Sequence, residues 1–133
     1  SYIDYLKTRE GERYELINGE LIEMTSPTVN HQRLLFELSI ILRDFIKNKN
    51  IGEILIAPCD VIFSDYTVLQ PDILFISNNN LDIIKDRIYG TPDLVVEIIS
   101  QSSFVSDSHE KFRLYEKYGV KEYWLIESFF NLE

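Results

Sequence analysis

The sequence predicts an α/β fold: a mixed central β-sheet flanked by helices, with a β-hairpin near the N-terminus. Three observations predict it. Asn18-Gly19 separates two short β-compatible runs, the strongest two-residue hairpin signal a chain offers. Leu34, Leu35, Leu38, Ile41, Leu42, Phe45 and Ile46 recur at helical spacing, which makes a long amphipathic helix. Leu94–Ile99 is almost unbroken in its apolarity and leads through a Ser-rich segment and a second helical pattern to the strand-like run Glu122–Ile126. That order is a βαβ unit, whereas the earlier strands read as antiparallel, so the sheet should be mixed.

The elements follow in chain order. Arg13–Ile17 and Glu20–Thr25 form the hairpin, and Ser26-Pro27-Thr28 breaks it before the long helix, which Asn50 and Gly52 end. Glu53–Ala57 and Asp60–Phe63 are short strands around Pro58, and Val68–Ile76 reads as one further strand with Pro71 at its start or at a bulge. Asn78-Asn79-Asn80 is a turn. Leu94–Ile99 should be a central strand covered on both faces. Ser100–Ser108 reads as a loop, with Asp107 as N-cap and Glu110 three residues on, and the next helix runs to Tyr118, with Gly119 in the glycine position just past its end.

With 133 residues and 45% hydrophobic content, the chain is read as a single domain, residues 1–133, with enough apolar material for one core. Its apolar runs fall far short of the roughly 20 residues that span a bilayer. The N-terminus has neither a basic leader nor an apolar segment ending in small residues. One cysteine, Cys59, excludes an internal disulfide, which suits a reducing compartment, so a cytoplasmic protein is expected.

The net charge of −9 speaks against a general nucleic-acid binder, which presents a basic footprint. Local field matters more than total charge, however, and a site that holds a metal ion is itself acidic. Two segments are locally basic: Arg33, Arg43, Lys47 and Lys49 against Glu37 and Asp44, then Lys111, Arg113, Lys117 and Lys121 against Glu110 and Glu116. Each also reads as an ordinary solvated helix face.

Two residues stand out chemically. Glu97 is a lone carboxylate in the most apolar strand, and an ionised carboxylate buried without a partner costs several kcal/mol, so it requires a cation, a donor or a raised pKa. Alternation puts Asp93, Val95, Glu97 and Ile99 on one face. Lys111 shares its helix side with Leu114, Tyr115 and Tyr118, the side that should face the sheet. It can snorkel outward or carry its ammonium to an acidic cluster. Asp72 follows Pro71 at the head of a strand. Two carboxylates and a lysine suit phosphodiester hydrolysis: hard oxygens hold Mg2+ through one or two protein ligands, the metal acidifies a bound water, and an ammonium stabilises developing negative charge. Other chemistries read poorly, because His31 and His109 lack partners at metal-ligand spacing and no nucleophile elbow or Gly-rich phosphate loop is present. Cys59 and the Tyr123-Trp124 pair read as core residues.

A wider pattern joins these residues. Tyr14-Glu15-Leu16-Ile17-Asn18-Gly19-Glu20-Leu21-Ile22, His31-Gln32, Gln70-Pro71-Asp72-Ile73-Leu74-Phe75 and Thr91-Pro92-Asp93-Leu94-Val95-Val96-Glu97-Ile98-Ile99-Ser100 occur in that order. They are followed by Asp107, Lys111, Tyr115 and Gly119-Val120-Lys121-Glu122-Tyr123-Trp124-Leu125-Ile126. This set resembles the Uma-type family of bacterial restriction endonucleases within the PD-(D/E)XK nuclease superfamily, over nearly the whole chain. The resemblance implies a restriction-endonuclease-like fold and Mg2+-dependent cleavage of DNA, Mn2+ substituting, with Asp72 and Glu97 as metal ligands and Lys111 as the catalytic lysine. The superfamily pairs a proline-aspartate with a later acid-x-lysine; here position 99 is Ile, and the lysine matching the family pattern is Lys111 on the following helix. Gln101 stands where relatives commonly have proline. Pro92-Asp93 competes for the aspartate role, but four strand residues put Asp93 roughly 13 Å from Glu97, so Asp72 is preferred.

Glu15, Glu20, Glu23 and Glu37 are candidates for a third ligand, with Glu20 and Glu37 placed first, although each also reads as a solvent-facing acid. His31 and Asp107 are the remaining auxiliary candidates, His31 more simply a cap or packing residue. The expected partner is DNA. The oligomeric state stays open, a homodimer included, and the rival function is a nuclease-fold binding module that no longer cuts.

Overall fold

The computed structural model describes residues 1–7, 13–99 and 104–128, with side chains from His109 onward in the last stretch. The hairpin forms as the sequence predicts: β1 (Tyr14–Ile17) pairs antiparallel with β2 (Glu20–Glu23). Asn18 and Gly19 take φ 49° and 85°, the positive values that a two-residue turn needs to match strand twist. A short α1 (Tyr2–Tyr5), capped by Ser1, precedes it.

The long helix is α2 (Val29–Lys49). Thr28 caps it, its hydroxyl oxygen accepting from the His31 amide at 3.1 Å, and Asn50 closes it with φ 51°. His31 is therefore not the cap; it sits on the buried face with Leu35 and Ile46. After it come β3 (Gly52–Ile56), β4 (Val61–Ser64), β5 (Thr67–Leu69), β6 (Ile73–Ser77), β7 (Ile88–Tyr89), β8 (Leu94–Ile99), α3 (Phe104–Lys117) and β9 (Glu122–Glu127). Asn78–Ile83 is a 3₁₀ turn, where the asparagine cluster predicted a turn. Among the described residues, no helix is long and apolar enough to cross a membrane.

The mixed pairing is divided between two sheets, with orders β2-β1-β5-β4-β7 and β3-β6-β8-β9. Each contains one parallel pair, β4 with β7 and β8 with β9, among antiparallel ones. The run Val68–Ile76 is accordingly not one strand. β5 ends at Leu69 in the first sheet and β6 starts at Ile73 in the second, so Gln70-Pro71-Asp72 carries the chain across. Pro71 has no N–H for a ladder, and the Gln70 N–H is taken by the Glu15 carboxylate at 2.8 Å.

α3 starts at Phe104, so Asp107 lies inside the helix and does not cap it; serine is only mildly unfavourable in a helix and does not force a loop. The side chain of Asp107 and residues 100–103 lie outside the described residues. Gly119 has φ 83°, as a helix-terminating glycine should.

The four-stranded sheet is covered on both faces. On one, α2 packs through Leu35 against Ile73, Leu94, Val96 and Ile98. On the other, Val95 meets Ile17, Leu69, Leu114 and Tyr115, while Leu74 and Ile76 meet Val61 and Ile88 of the first sheet. Each such aliphatic side chain contributes about 1.5–3 kcal/mol by leaving water. All six residues of β8 are buried, which is how Glu97 comes to lie in the interior. Among the described residues β9 is an edge strand, and Trp124, expected in the core, is 38% exposed there.

Candidate active site

Four elements deliver charged side chains to one point between the sheets. β1 supplies Glu15, the head of β6 supplies Asp72, β8 supplies Glu97 and α3 supplies Lys111. All three carboxylates are buried, and among the described residues Lys111 and His31 are the cations in contact with them.

Lys111 does not snorkel. Its Nζ lies 2.9 Å from Glu15 Oε1, 3.2 Å from Glu15 Oε2 and 3.2 Å from Glu97 Oε1. Burial alone would lower its pKa, but the Glu15 and Glu97 carboxylates outweigh burial and raise it, so the ammonium stays charged. Glu97 Oε1 also accepts a hydrogen bond from Tyr115 OH at 2.5 Å. Burial pushes the Glu97 carboxyl upward, against the pull of Lys111 and with further upward pushes from Glu15 and Asp72. Burial and the Glu97 and Glu15 carboxylates raise the Tyr115 phenol well above its usual value, so it remains a neutral donor.

Asp72 is anchored at both oxygens. Oδ2 accepts from the Ile98 amide at 2.6 Å and Oδ1 lies 3.2 Å from His31 Nε2. The His31 Nδ1 faces Gln32 Oε1 at 2.9 Å. With acceptors at both ring nitrogens, the imidazole favours its charged form, and the Asp72 hydrogen bond raises its pKa despite partial burial.

The predicted trio thus falls into two contacts, Lys111 with Glu97 and His31 with Asp72, placed close enough for Asp72 to act on the Glu97 pKa. Glu15, which the sequence places behind Glu20 and Glu37 as a third ligand, is the acid that Lys111 grips most closely. Glu20 and Glu37 are exposed and make no hydrogen bond or ion pair with the cluster. Asp93 serves elsewhere: its carboxylate accepts from the Ser77 amide at 2.7 Å and lies 3.5 Å from Lys121 Nζ. Cys59 is a free, half-buried thiol.

Sequence reasoning assigned no role at the site to two supporting groups. Gln70 donates from its backbone to Glu15 and from its side chain to Tyr5 OH and Asp60 at 2.9 and 2.8 Å, and Tyr115 carries the direct contact described above. His31, an auxiliary candidate read more simply as a cap or packing residue, instead contacts Asp72; with Leu35, Leu38 and Leu42 it occupies one helical face.

Among the described residues, no three of His, Cys, Asp and Glu converge as a ready-made metal cage. The donors do suit a hard cation held by one or two carboxylate oxygens, with water and phosphate completing the set. Three buried carboxylates against one ammonium leave an excess of negative charge even with His31 protonated, and Glu15 and Asp72 add to the upward push that burial gives Glu97.

A family model described as "Uma2: Putative restriction endonuclease" matches residues 2–129. A protein of Synechocystis sp. (strain ATCC 27184 / PCC 6803 / Kazusa), "Uncharacterized protein sll1609", is 30% identical over 131 residues, spanning 95% of this chain and 73% of that protein. A crystal structure described as "a putative nuclease belonging to DUF820", from Anabaena variabilis ATCC 29413, superposes with a TM-score of 0.80 at 21% identity. It covers 94% of this chain and 72% of its own, a likeness of fold.

Proposed function

The chain belongs to the Uma2 family, whose description reads "Putative restriction endonuclease", and on that premise we propose that it hydrolyses DNA phosphodiester bonds with a divalent cation at Asp72 and Glu97. The observation that carries this reading is the buried convergence of Glu15, Glu97 and Lys111 beside the His31–Asp72 pair. Structural ion pairs rarely gather an excess of buried carboxylates, because each uncompensated charge costs several kcal/mol.

Asp72 and Glu97 would hold Mg2+, or Mn2+ in its place. When bound, the cation would lower the pKa of a water and neutralise charge growing on the phosphoryl oxygens. Lys111 presents a permanently charged ammonium in a water-poor setting, where a fixed cation stabilises developing negative charge more than it would in bulk water. Glu15 and Glu97 position that ammonium, Tyr115 fixes the Glu97 rotamer, and His31 with the Ile98 amide fixes Asp72. Such supporting hydrogen bonds orient ligands and tune their basicity.

The test is Mn2+-dependent nicking of supercoiled plasmid by wild type, Lys111→Met and Asp72→Asn at equal folded concentration. Wild type should nick; each variant should lose on the order of 10²-fold or more in rate. Lys111→Met keeps most of the methylene stem, so loss of packing is separated from loss of charge. Nicking by Lys111→Met at the wild-type rate overturns the lysine's role.

A second reading, a nuclease-fold module that binds without cutting, is favoured by Ile99 in the acid-x-lysine position and by an ammonium that already compensates Glu15 and Glu97. Wild type that stays inactive across metals and DNA substrates decides for it.

A further inference from the structure

Among the described residues the four-stranded sheet ends at β3, whose outer edge pairs with no strand. The Asn78 N–H donates to Ile51 O at 3.0 Å and the Ala57 N–H to Asp72 O at 2.9 Å. These bonds set the phase of the β3–β6 ladder. Antiparallel pairing alternates, so Glu53 and Leu55 direct their backbone groups to β6, and Gly52, Ile54 and Ile56 direct theirs outward. Side chains alternate through the sheet. Ile54 packs with the α2 cluster, while Leu55 packs on the opposite face. Gly52, Ile54 and Ile56 therefore lie on the α2 side.

A groove of about 610 Å³ runs between that edge and α2, with Ile40, Arg43 and Lys47 on its helix wall and Ile54 and Ile56 on its strand wall; Glu53, the one acid in its lining, alternates to the other face of the strand. Ile40 is 41% and Ile56 48% exposed. Among the described residues Lys47 makes no ion pair, and Arg43 has only Asp44, at 3.7 Å along the helix surface. On a chain of net charge −9, a cationic wall above an apolar floor and an open strand edge is a distinct combination.

We propose that the groove between α2 and β3 binds an extended segment of a partner protein, which adds as a strand to β3 with apolar residues toward Ile54 and Ile56 and a carboxylate toward Arg43 and Lys47. Strand addition supplies main-chain hydrogen bonds for affinity and leaves alternate side chains to supply specificity. Five strand residues span about 17 Å, room for a segment of similar length. A DNA backbone fits less well: phosphate has no donors for the outward carbonyls of β3, and it leaves the isoleucine floor uncovered. A second copy fits less well too, because two-fold pairing of β3 edges brings Arg43 and Lys47 of both copies into one groove. The proposal does not depend on the cleavage reading.

The experiment selects short linear peptides from a random phage-displayed library on the full chain, with counter-selection on the Arg43→Glu, Lys47→Glu double variant. The recovered peptide is then titrated by fluorescence anisotropy, with amide exchange read residue by residue. The expected result is a peptide alternating β-branched and acidic residues whose binding protects the amides of Gly52, Ile54 and Ile56. Affinity should fall about tenfold or more in the double variant. Ile56→Pro removes an outward N–H while sparing the Glu53 and Leu55 ladder, and should weaken binding as well. The proposal is overturned by a failure of selection, by equal binding to the charge-reversed variant, or by unprotected β3 amides. It is equally overturned if a short DNA duplex displaces the peptide and protects those amides, or if sedimentation shows wild type self-associating through an edge that Ile56→Pro abolishes.

Discussion

Glu97 and His31 carry opposite charges into one site, and their titrations distinguish its two halves. The Glu97 pKa is raised on folding, chiefly by burial. A group whose folded pKa lies above its unfolded one lends stability at low pH and loses it as pH rises. Without divalent metal, stability should therefore fall from the ordinary glutamate range, near pH 4.3, upward through neutrality. Mn2+ binding only the folded state should restore it by mass action, more at pH 8 than at pH 6, and Glu97→Gln should flatten both the pH dependence and the Mn2+ increment. Thermal melts in EDTA and in Mn2+ at the two pH values check this; identical Mn2+ responses of wild type and Glu97→Gln would sink a shared Asp72–Glu97 cation. His31 gives a second reading of pH. Its pKa is raised by the Asp72 hydrogen bond, so its contribution is fully present below the unfolded value of about 6.5 and is lost as pH rises through the folded one. The difference in melting temperature between wild type and His31→Gln should be larger at pH 5.5 than at pH 9, and an unchanged difference would mean that the imidazole packs without being charged.

Secondary structure was legible where local chemistry is strong and obscure where the sheets divide. Asn18-Gly19 gave the hairpin because no common pair suits its two positive φ values better. Replacing Gly19 with Ala should destabilise the chain by about 1–2 kcal/mol, with Gly19→Asn costing less, as urea midpoints can measure. The cause would be backbone strain alone, since the nearest atom to an added Cβ is Tyr66 Cδ1 at 3.8 Å. The apolar run Leu94–Ile99 gave the doubly covered strand, and the helical spacing from Lys111 to Tyr118 gave the face that points Lys111 inward. The break after Leu69 was not legible, because Val68–Ile76 keeps its β-compatible composition while the chain changes sheets. Glu15 was obscured for a related reason: an acid in a hairpin strand normally faces water, and only the chain crossing above it, with the Gln70 amide at 2.8 Å, makes its side chain interior. Gln70 and Tyr115 are polar residues of ordinary appearance whose roles arise from tertiary placement.

At the scale of the molecule, an acidic chain with an acidic site should not attract DNA unaided. Long-range repulsion opposes association, and a divalent cation held at the carboxylates would offset it there. Anisotropy with a labelled duplex should show little binding in EDTA and binding about tenfold tighter or more in Ca2+, and Asp72→Asn should lose most of that gain. Equal binding with and without the cation would move the DNA contact away from the carboxylates. The family match runs from residue 2 to residue 129, so the elements that carry the cluster all lie within it.

The ion pair that completes the cluster joins residues 96 positions apart in sequence, and its members come from the β1–β2 hairpin and from α3, the helix before β9. Contacts of such long range form late, because loop closure precedes any return from them. A chain still emerging from the ribosome holds Glu15, Asp72 and Glu97 before it holds Lys111, and three unneutralised carboxylates repel both one another and a phosphate backbone. The same geometry that stores negative charge in the folded protein therefore orders its assembly: until α3 has been made and docked, the three acids lack the ammonium that offsets their charge, and the cluster is complete only once Lys111 joins it.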